Sequence, residues 1–306
     1  MSFLNPVSEP VKRFSSTDAG APQINYNARV AGDVKTVLKA CLVTGYGAKE
    51  SAGWSIANEV DHVAEFVSPS VAMSDYRLGI DDSSAASTTW YYQYQDARVN
   101  PNKNVPSKNF SNVNKLSTEN SWELIVTERG FYFVEILYHT TLAAKVARIT
   151  WFGQLKSALM NDNGVNISFF CVGIGSQIPT PSSLMIVSDT YDVNKTYNLA
   201  AYTALSFNTT NSVVFTKDSA ANKYSGLGID VVSDVFLSNG TAVVAQQSGI
   251  LFKNISNLAD AYGVEVMQLD GRNVLSTSVA YNNMSDAKTN GDHVKKMLIR
   301  LDYLEY

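Results

Sequence analysis

Apolar residues at Val34, Val37, Leu38, Cys41 and Leu42 recur at the i, i+3, i+4, i+7, i+8 spacing of one helix face. The spacing predicts a short buried helix, with Asp33 placed to cap its start and Gly45 where a left-handed residue ends a helix. Gly47 and Gly53 supply the freedom needed for the chain to fold back before Trp54, so Gly45, Gly47 and Gly53 are read as a structural turn. The period then changes from helical to alternating. Runs at 54–60, 63–67, 76–80 and 88–95 have strand character, and in the last of them Trp90, Tyr92 and Tyr94 share one face.

Residues 122–138 read as a hairpin turning at Glu128-Arg129-Gly130, followed by strands at 147–152 and 167–174 with the turn dipeptide Asn163-Gly164 between them. Further short strands are expected at 184–188, 197–207, 213–216, 228–237, 241–247, 250–253 and 296–306. Asn239-Gly240 between Val235-Phe236-Leu237 and Val243-Val244 is the clearest two-residue hairpin. In the final run Met297, Ile299, Leu301 and Tyr303 alternate with Leu298, Arg300, Asp302 and Leu304, a strand expected at a sheet edge or against a neighbouring subunit. The expected fold class is α+β, mainly antiparallel β, with one short N-terminal helix and a β-sandwich-like C-terminal domain. Three parts are expected: an extended arm at 1–30 containing Pro6, Pro10 and Pro22, an α+β domain at 31–176, and a mainly β domain at 184–306. The Pro- and Ser-rich stretch 177–183 reads as the linker, and the polar stretch 98–121 as a long surface loop of the binding or lid type.

A net charge of −4 and a charged fraction of 17% describe a neutral, polar surface with no basic stripe, which argues against a nucleic-acid partner. Cys41 and Cys171 lie in apolar runs and read as buried free thiols rather than a disulfide. Met1-Ser2-Phe3-Leu4-Asn5-Pro6 lacks the pattern of a signal peptide, and no apolar run approaches the ~18 residues that span a bilayer, so a soluble chain made in the cytoplasm is expected. His62, His139 and His293 have no partners at metal-ligand spacing, and neither a metal nor a cofactor is expected.

Gly45-x-Gly47 fails both nucleotide-binding fingerprints, and Gly173-Ile174-Gly175-Ser176 is not a nucleophile elbow. Asp81 and Asp82 read as the end of a strand and the cap of its turn rather than a catalytic pair; Glu123, Glu128 and Glu135 lie near aromatic residues. Trp90, Tyr91, Tyr92 and Tyr94 form either an exposed platform for sugar or protein or, with alternate rings buried, part of the core.

The phrase Ser16-Thr17-Asp18-Ala19-Gly20-Ala21-Pro22, with Ala40-Cys41-Leu42-Val43-Thr44-Gly45-Tyr46-Gly47 and Lys49-Glu50-Ser51-Ala52-Gly53-Trp54, resembles the opening of a family of tailed-bacteriophage virion structural proteins. Tyr76-Arg77-Leu78-Gly79-Ile80-Asp81-Asp82 resembles that family's strand ending in paired Asp residues. The segment from Trp122 to Phe133 resembles its Trp-initiated hairpin, and the resemblance runs over residues 15 to 172. Proteins of that family tend to have an aromatic-Gly-Asp phrase where this chain reads Trp151-Phe152-Gly153-Gln154-Leu155, so the resemblance carries over no role for that acid.

The family is defined by membership in particles and carries over no catalytic residues. The resemblance implies a non-enzymatic, multi-copy tail, baseplate or neck subunit located in the virion. Its partners would be other phage structural proteins and copies of itself, with no nucleic acid and no membrane span. The alternatives are a capsid decoration or minor head protein, and a host-glycan-binding module. A glycan hydrolase using paired carboxylates ranks behind them. The candidate interface residues are Trp90, Tyr92, Tyr94, Leu301 and Tyr303, and the arm before residue 30, the 98–121 loop and the final strand are the expected docking elements.

Overall fold

A computed structural model describes residues 7–25, 28–74, 76–94, 107–111, 121–139, 144–157, 167–173, 185–187, 198–201, 232–238, 243–253, 263–280 and 294–306. Strands β1 (Ser8–Pro10) and β2 (Lys12–Ser15) precede the helix α1 (Asp33–Lys39), which runs directly into a π-helical turn at Ala40–Thr44. Next come β3 (Ser55–Val60), β4 (Val63–Val67), β5 (Tyr76–Ser84), β6 (Ser87–Tyr94) and β7 (Ser107–Ser111). The middle of the chain forms β8 (Ser121–Val126), β9 (Gly130–His139), β10 (Ala144–Gln154), β11 (Lys156–Ser157), β12 (Ile167–Gly173) and β13 (Met185–Val187). The remainder forms β14 (Asn198–Ala201), β15 (Val232–Ser238), β16 (Val243–Lys253), β17 (Val264–Leu269), β18 (Arg272–Ala280), β19 (Val294–Arg300) and β20 (Tyr303–Glu305). All described strand pairings in the named sheets are antiparallel, and α1 is the one α-helix among the described residues, so the fold is β-rich α+β.

Among the described residues the three larger sheets are β3-β4-β5-β6-β7, β13-β12-β10-β9-β8-β2, and β14-β15-β16-β19-β18-β17 with β11 added on β16; β1 and β20 form a fourth, two-stranded sheet. The six-stranded sheet is the middle layer. Along β9, Phe131, Phe133 and Leu137 join the core built from α1 and the five-stranded sheet, while the alternating Tyr132, Val134 and Ile136 are buried on the opposite face. That opposite face meets the seven-stranded sheet: β10 lies along β18, and the Tyr132 hydroxyl donates to the Ser248 carbonyl on β16. Burial on both faces explains why residues 122–138 are apolar almost without alternation. The carboxy-terminal strands thus form one side of a sheet-on-sheet packing whose other side is the six-stranded sheet.

Several elements depart from expectation. The final run is two strands, broken at Leu301-Asp302, and β19 sits between β16 and β18 rather than at an edge. Met297, Leu298 and Ile299 are all buried, as a strand paired on both sides and covered on both faces requires. The stretch 98–121 contains β7, which pairs with β6, so it is not wholly a loop. The expected linker 177–183 lies outside the described residues, as do the Asn163-Gly164 and Asn239-Gly240 turns; the strands flanking each turn do pair antiparallel. The hairpin β17–β18, outside the strands expected from the sequence, turns on Asp270 and Gly271, with φ of 50° and 75°. Positive φ at both central residues is the requirement of the tightest hairpin turn, which Asp-Gly satisfies.

Over residues 7–25 the amino-terminal stretch is ordered by its own chain. β1 pairs with β20, and β2 pairs with β8 as the edge of the middle sheet. Val7 and Tyr306 exchange two backbone hydrogen bonds of 3.1 and 3.0 Å, closing the described ends of the chain on each other.

Candidate functional site

The two phrases at 16–22 and 41–54 pack into one unit. Helix α1 and the π-helical turn after it bury Val34, Val37, Leu38, Cys41 and Leu42, each at 1% exposure or less. Its end differs from the expected left-handed cap: Gly45 has φ 76° and ψ 174°, and its N–H bonds to the Ala40 carbonyl at 2.8 Å, widening the last turn. The returning chain explains the widening. Ala52 N–H donates to the Cys41 carbonyl and Trp54 N–H to the Leu42 carbonyl, each at 2.9 Å, so strand-like partners take carbonyls that a helix would leave open. Between these points Tyr46 and Lys49 exchange backbone hydrogen bonds across a tight turn, with φ of 56° at Gly47 and 85° at Gly53.

Residues 18–22 lie against that turn. A Cβ on Gly47 would stand 2.4 Å from the Ala19 carbonyl oxygen, so glycine is required by contact as well as by conformation. One oxygen of Asp18 accepts from the Tyr46 hydroxyl at 2.7 Å, from the Ser15 N–H at 2.8 Å, and from the Lys49 ammonium. Burial pushes the Asp18 carboxyl up, but these three donors outweigh it and hold the group below its ordinary value. Burial and the bond to Asp18 push the Tyr46 hydroxyl up, and burial does the same for the Cys41 thiol. Beneath this clasp, Tyr46 meets Phe14 and Trp122 with ring centroids at 5.9 and 6.4 Å, and the Trp122 indole donates to the Pro22 carbonyl at 3.0 Å. Trp54 donates to the Thr127 carbonyl at 3.1 Å and packs on Phe131 and Phe152.

The second polar centre is Asp82. It lies within β5, not in a turn, and is wholly buried. One carboxylate oxygen receives the Arg29 guanidinium and the Thr88 hydroxyl, the latter at 3.0 Å. Its other oxygen receives the N–H groups of Val34 and Lys35 at 2.8 and 3.3 Å. Asp82 therefore caps α1 from a strand 48 residues away, a role the sequence assigned to Asp33. The preceding residue, Gly32, has φ 89° and no side chain to cap with, and Asp33 accepts instead from the Val30 N–H. Backbone bonds from Gly32 N–H to the Asp82 carbonyl and from Asp82 N–H to the His62 carbonyl complete the joint.

Three of the other acidic side chains singled out in the sequence, Glu123, Glu135 and Asp81, are also engaged. Arg13 donates twice to Glu123, at 2.9 and 3.0 Å, and Arg148 donates twice to Glu135 across β9 and β10. Asp81 accepts from the Ser83 N–H, and Glu128 accepts through its backbone carbonyl from Ser68. Gln154 accepts from Arg129 at 3.1 Å, while Glu9 on β1 supplies Arg129 with its carboxylate at 2.6 Å. Arg129 also lies over the ring of Tyr306, whose hydroxyl bonds to Thr127 at 2.6 Å and is pushed up by burial.

Of the candidate interface residues, Trp90, Leu301 and Tyr303 have described side chains. Trp90 is 2% exposed with its ring 6.2 Å from Phe133, which removes it from any surface platform; its alternation was that of a core position. The side chains of Tyr92 and Tyr94 lie outside the described residues, as does that of Cys171; Cys41 is a buried free thiol. Tyr91, on the other face of β6, covers Gly79, where a Cβ would stand 2.0 Å from the ring. Leu301 is half-buried beside the β18 start, its N–H on the Asn273 carbonyl. Tyr303 is half-buried between the guanidiniums of Arg272 and Arg300, 5.2 and 4.7 Å from the ring centre.

Among the described residues no group of three or more His, Cys, Asp and Glu is arranged to hold a metal ion, and no helix is long and apolar enough to cross a membrane. Comparison with models of known protein families and with curated protein sequences finds no match to this chain.

Proposed function

We propose that the chain is a non-enzymatic structural subunit of a tailed-bacteriophage virion, present in many copies in the tail, baseplate or neck. The observation that carries this reading is the clasp. The two phrases that bear the resemblance to virion proteins meet as one unit, in which glycines, a carboxylate and aromatic rings are used up in joining the amino-terminal stretch to the helix end. The two charged groups at its centre, Asp18 and Lys49, are paired with each other inside the chain.

A weakly charged surface fits a subunit whose partners are other proteins rather than nucleic acid. The glycan-binding alternative loses Trp90 to the core, and a hydrolase loses Asp82, Glu123 and Glu135 to arginine partners. With residues 7–15 and β19 paired inside the chain, docking falls to other surfaces. Quantitative mass spectrometry of purified virions tests the proposal: the chain is expected at many copies per particle, and its absence from washed particles would overturn it.

A further inference from the structure

Open sheets expose edges that can pair with another chain, and natural edge strands resist this with lysines, prolines and bulges. Two of the described edges carry such devices. β2 has exposed Lys12 and Arg13 with Pro10 just before it, and β3 has a register shift between Ile56 and Asn58. β17 has neither: Val264-Glu265-Val266-Met267-Gln268-Leu269 runs in unbroken register with β18, with Val266 47% exposed. Among the described residues no strand pairs with its outer side.

We propose that β17 pairs antiparallel with β17 of a second copy of this chain, about a two-fold axis at Val266. Ser278 N–H bonds to the Gly263 carbonyl, and the bonded pairs alternate from there, so Val264, Val266 and Gln268 turn their backbone N–H and C=O groups outward. A two-fold axis perpendicular to the sheet pairs residues that share a face. Centred on Val266, it sets Val266 opposite Val266, Val264 opposite Gln268, and Glu265 opposite Met267. All three outward-facing residues of each copy then exchange hydrogen bonds. A register centred on Glu265 would oppose two carboxylates, which is unfavourable. A register centred on Met267 would pair Val264 with Asp270, which is in the turn at φ 50°. Centring on Val266 avoids both faults and buries the exposed valine against its own copy. Lys296 lies 3.7 Å from Glu265 and partly offsets the one charge on the strand.

The inference extends the multi-copy reading, but its test needs only the purified full-length chain. Sedimentation should show a concentration-dependent dimer. Val266→Cys should form a cross-linked dimer under mild oxidation, since a directly opposed bonded pair has Cα atoms about 5.5 Å apart, within disulfide reach. Gln268→Cys, four residues from its own copy in this register, should not. Val266→Lys, changing an exposed side chain, should keep the circular dichroism spectrum and raise the dissociation constant about tenfold or more by opposing two ammonium groups. A wild-type chain monomeric at every concentration would overturn the proposal, as would equal cross-linking at both cysteines. A dimeric chain missing from virions would leave this pairing standing and sink only the virion reading.

Discussion

Asp82 and Asp18 do similar work at different depths. Each draws together segments far apart in sequence, Asp82 by capping α1 from β5 and Asp18 by holding the Tyr46–Lys49 turn to the amino-terminal stretch. Asp82 is wholly buried and paired with a guanidinium whose side chain is 2% exposed. Asp18 and Lys49 keep 26% and 38% of their side chains in contact with solvent. The fold depends more on the buried joint. Losing a buried carboxylate strands several groups with no water to replace it, whereas a half-exposed carboxylate is readily replaced by solvent.

Asp82→Ala should therefore have the largest effect, about 3–5 kcal/mol in urea-induced unfolding, because it leaves the Arg29 charge and two helix N–H groups without the carboxylate. Thr88→Val removes one donor to Asp82 and should cost about 1–3 kcal/mol. The clasp depends more on backbone than on charge, and two glycines separate the contributions. Gly47→Ala combines positive φ with the contact to Ala19 and should cost about 2–3 kcal/mol, while Gly53→Ala, with nothing within 4 Å of the added Cβ, should cost about 1 kcal/mol. Equal losses at the two glycines would show that conformation alone matters there.

Asp18→Asn should be the mildest change, about 1 kcal/mol or less near neutral pH. Its folded-state carboxyl is held below the ordinary value of 3.8, so its contribution is present above that pH and fades as pH falls through the lowered value. Wild type and Asp18→Asn should thus converge in stability in acid. A gap that persists there would mean that the amide disturbs packing rather than charge.

Local features were the readable ones. The apolar period of α1 and the glycines of its returning turn are short-range signals, and the residues that carry them are buried or at positive φ as written. The Asp270-Gly271 hairpin carries an equally local signal, with Val264 and Val266 alternating before it. Other features had no local sign. Nothing near Asp82 shows that its oxygens reach Val34 and Lys35, and a strand-end reading followed from its neighbour Asp81 alone. Alternation at Trp90 specified a face without saying whether that face met water or Phe133. The last run read as an edge because alternation is also what an edge shows, whereas the pairing of β19 on both sides depends on residues between 14 (Ala280 to Val294) and 49 (Ile250 to Ile299) positions away.

A side-chain-resolution cryo-EM reconstruction of the virion tests the central claim most directly. The expected result is repeated, symmetry-related copies of the chain, each with the Asp18 clasp closed inside the subunit and without bound ligand at Asp82. A chain absent from all particle density, or one whose clasp opens onto a substrate, would contradict it.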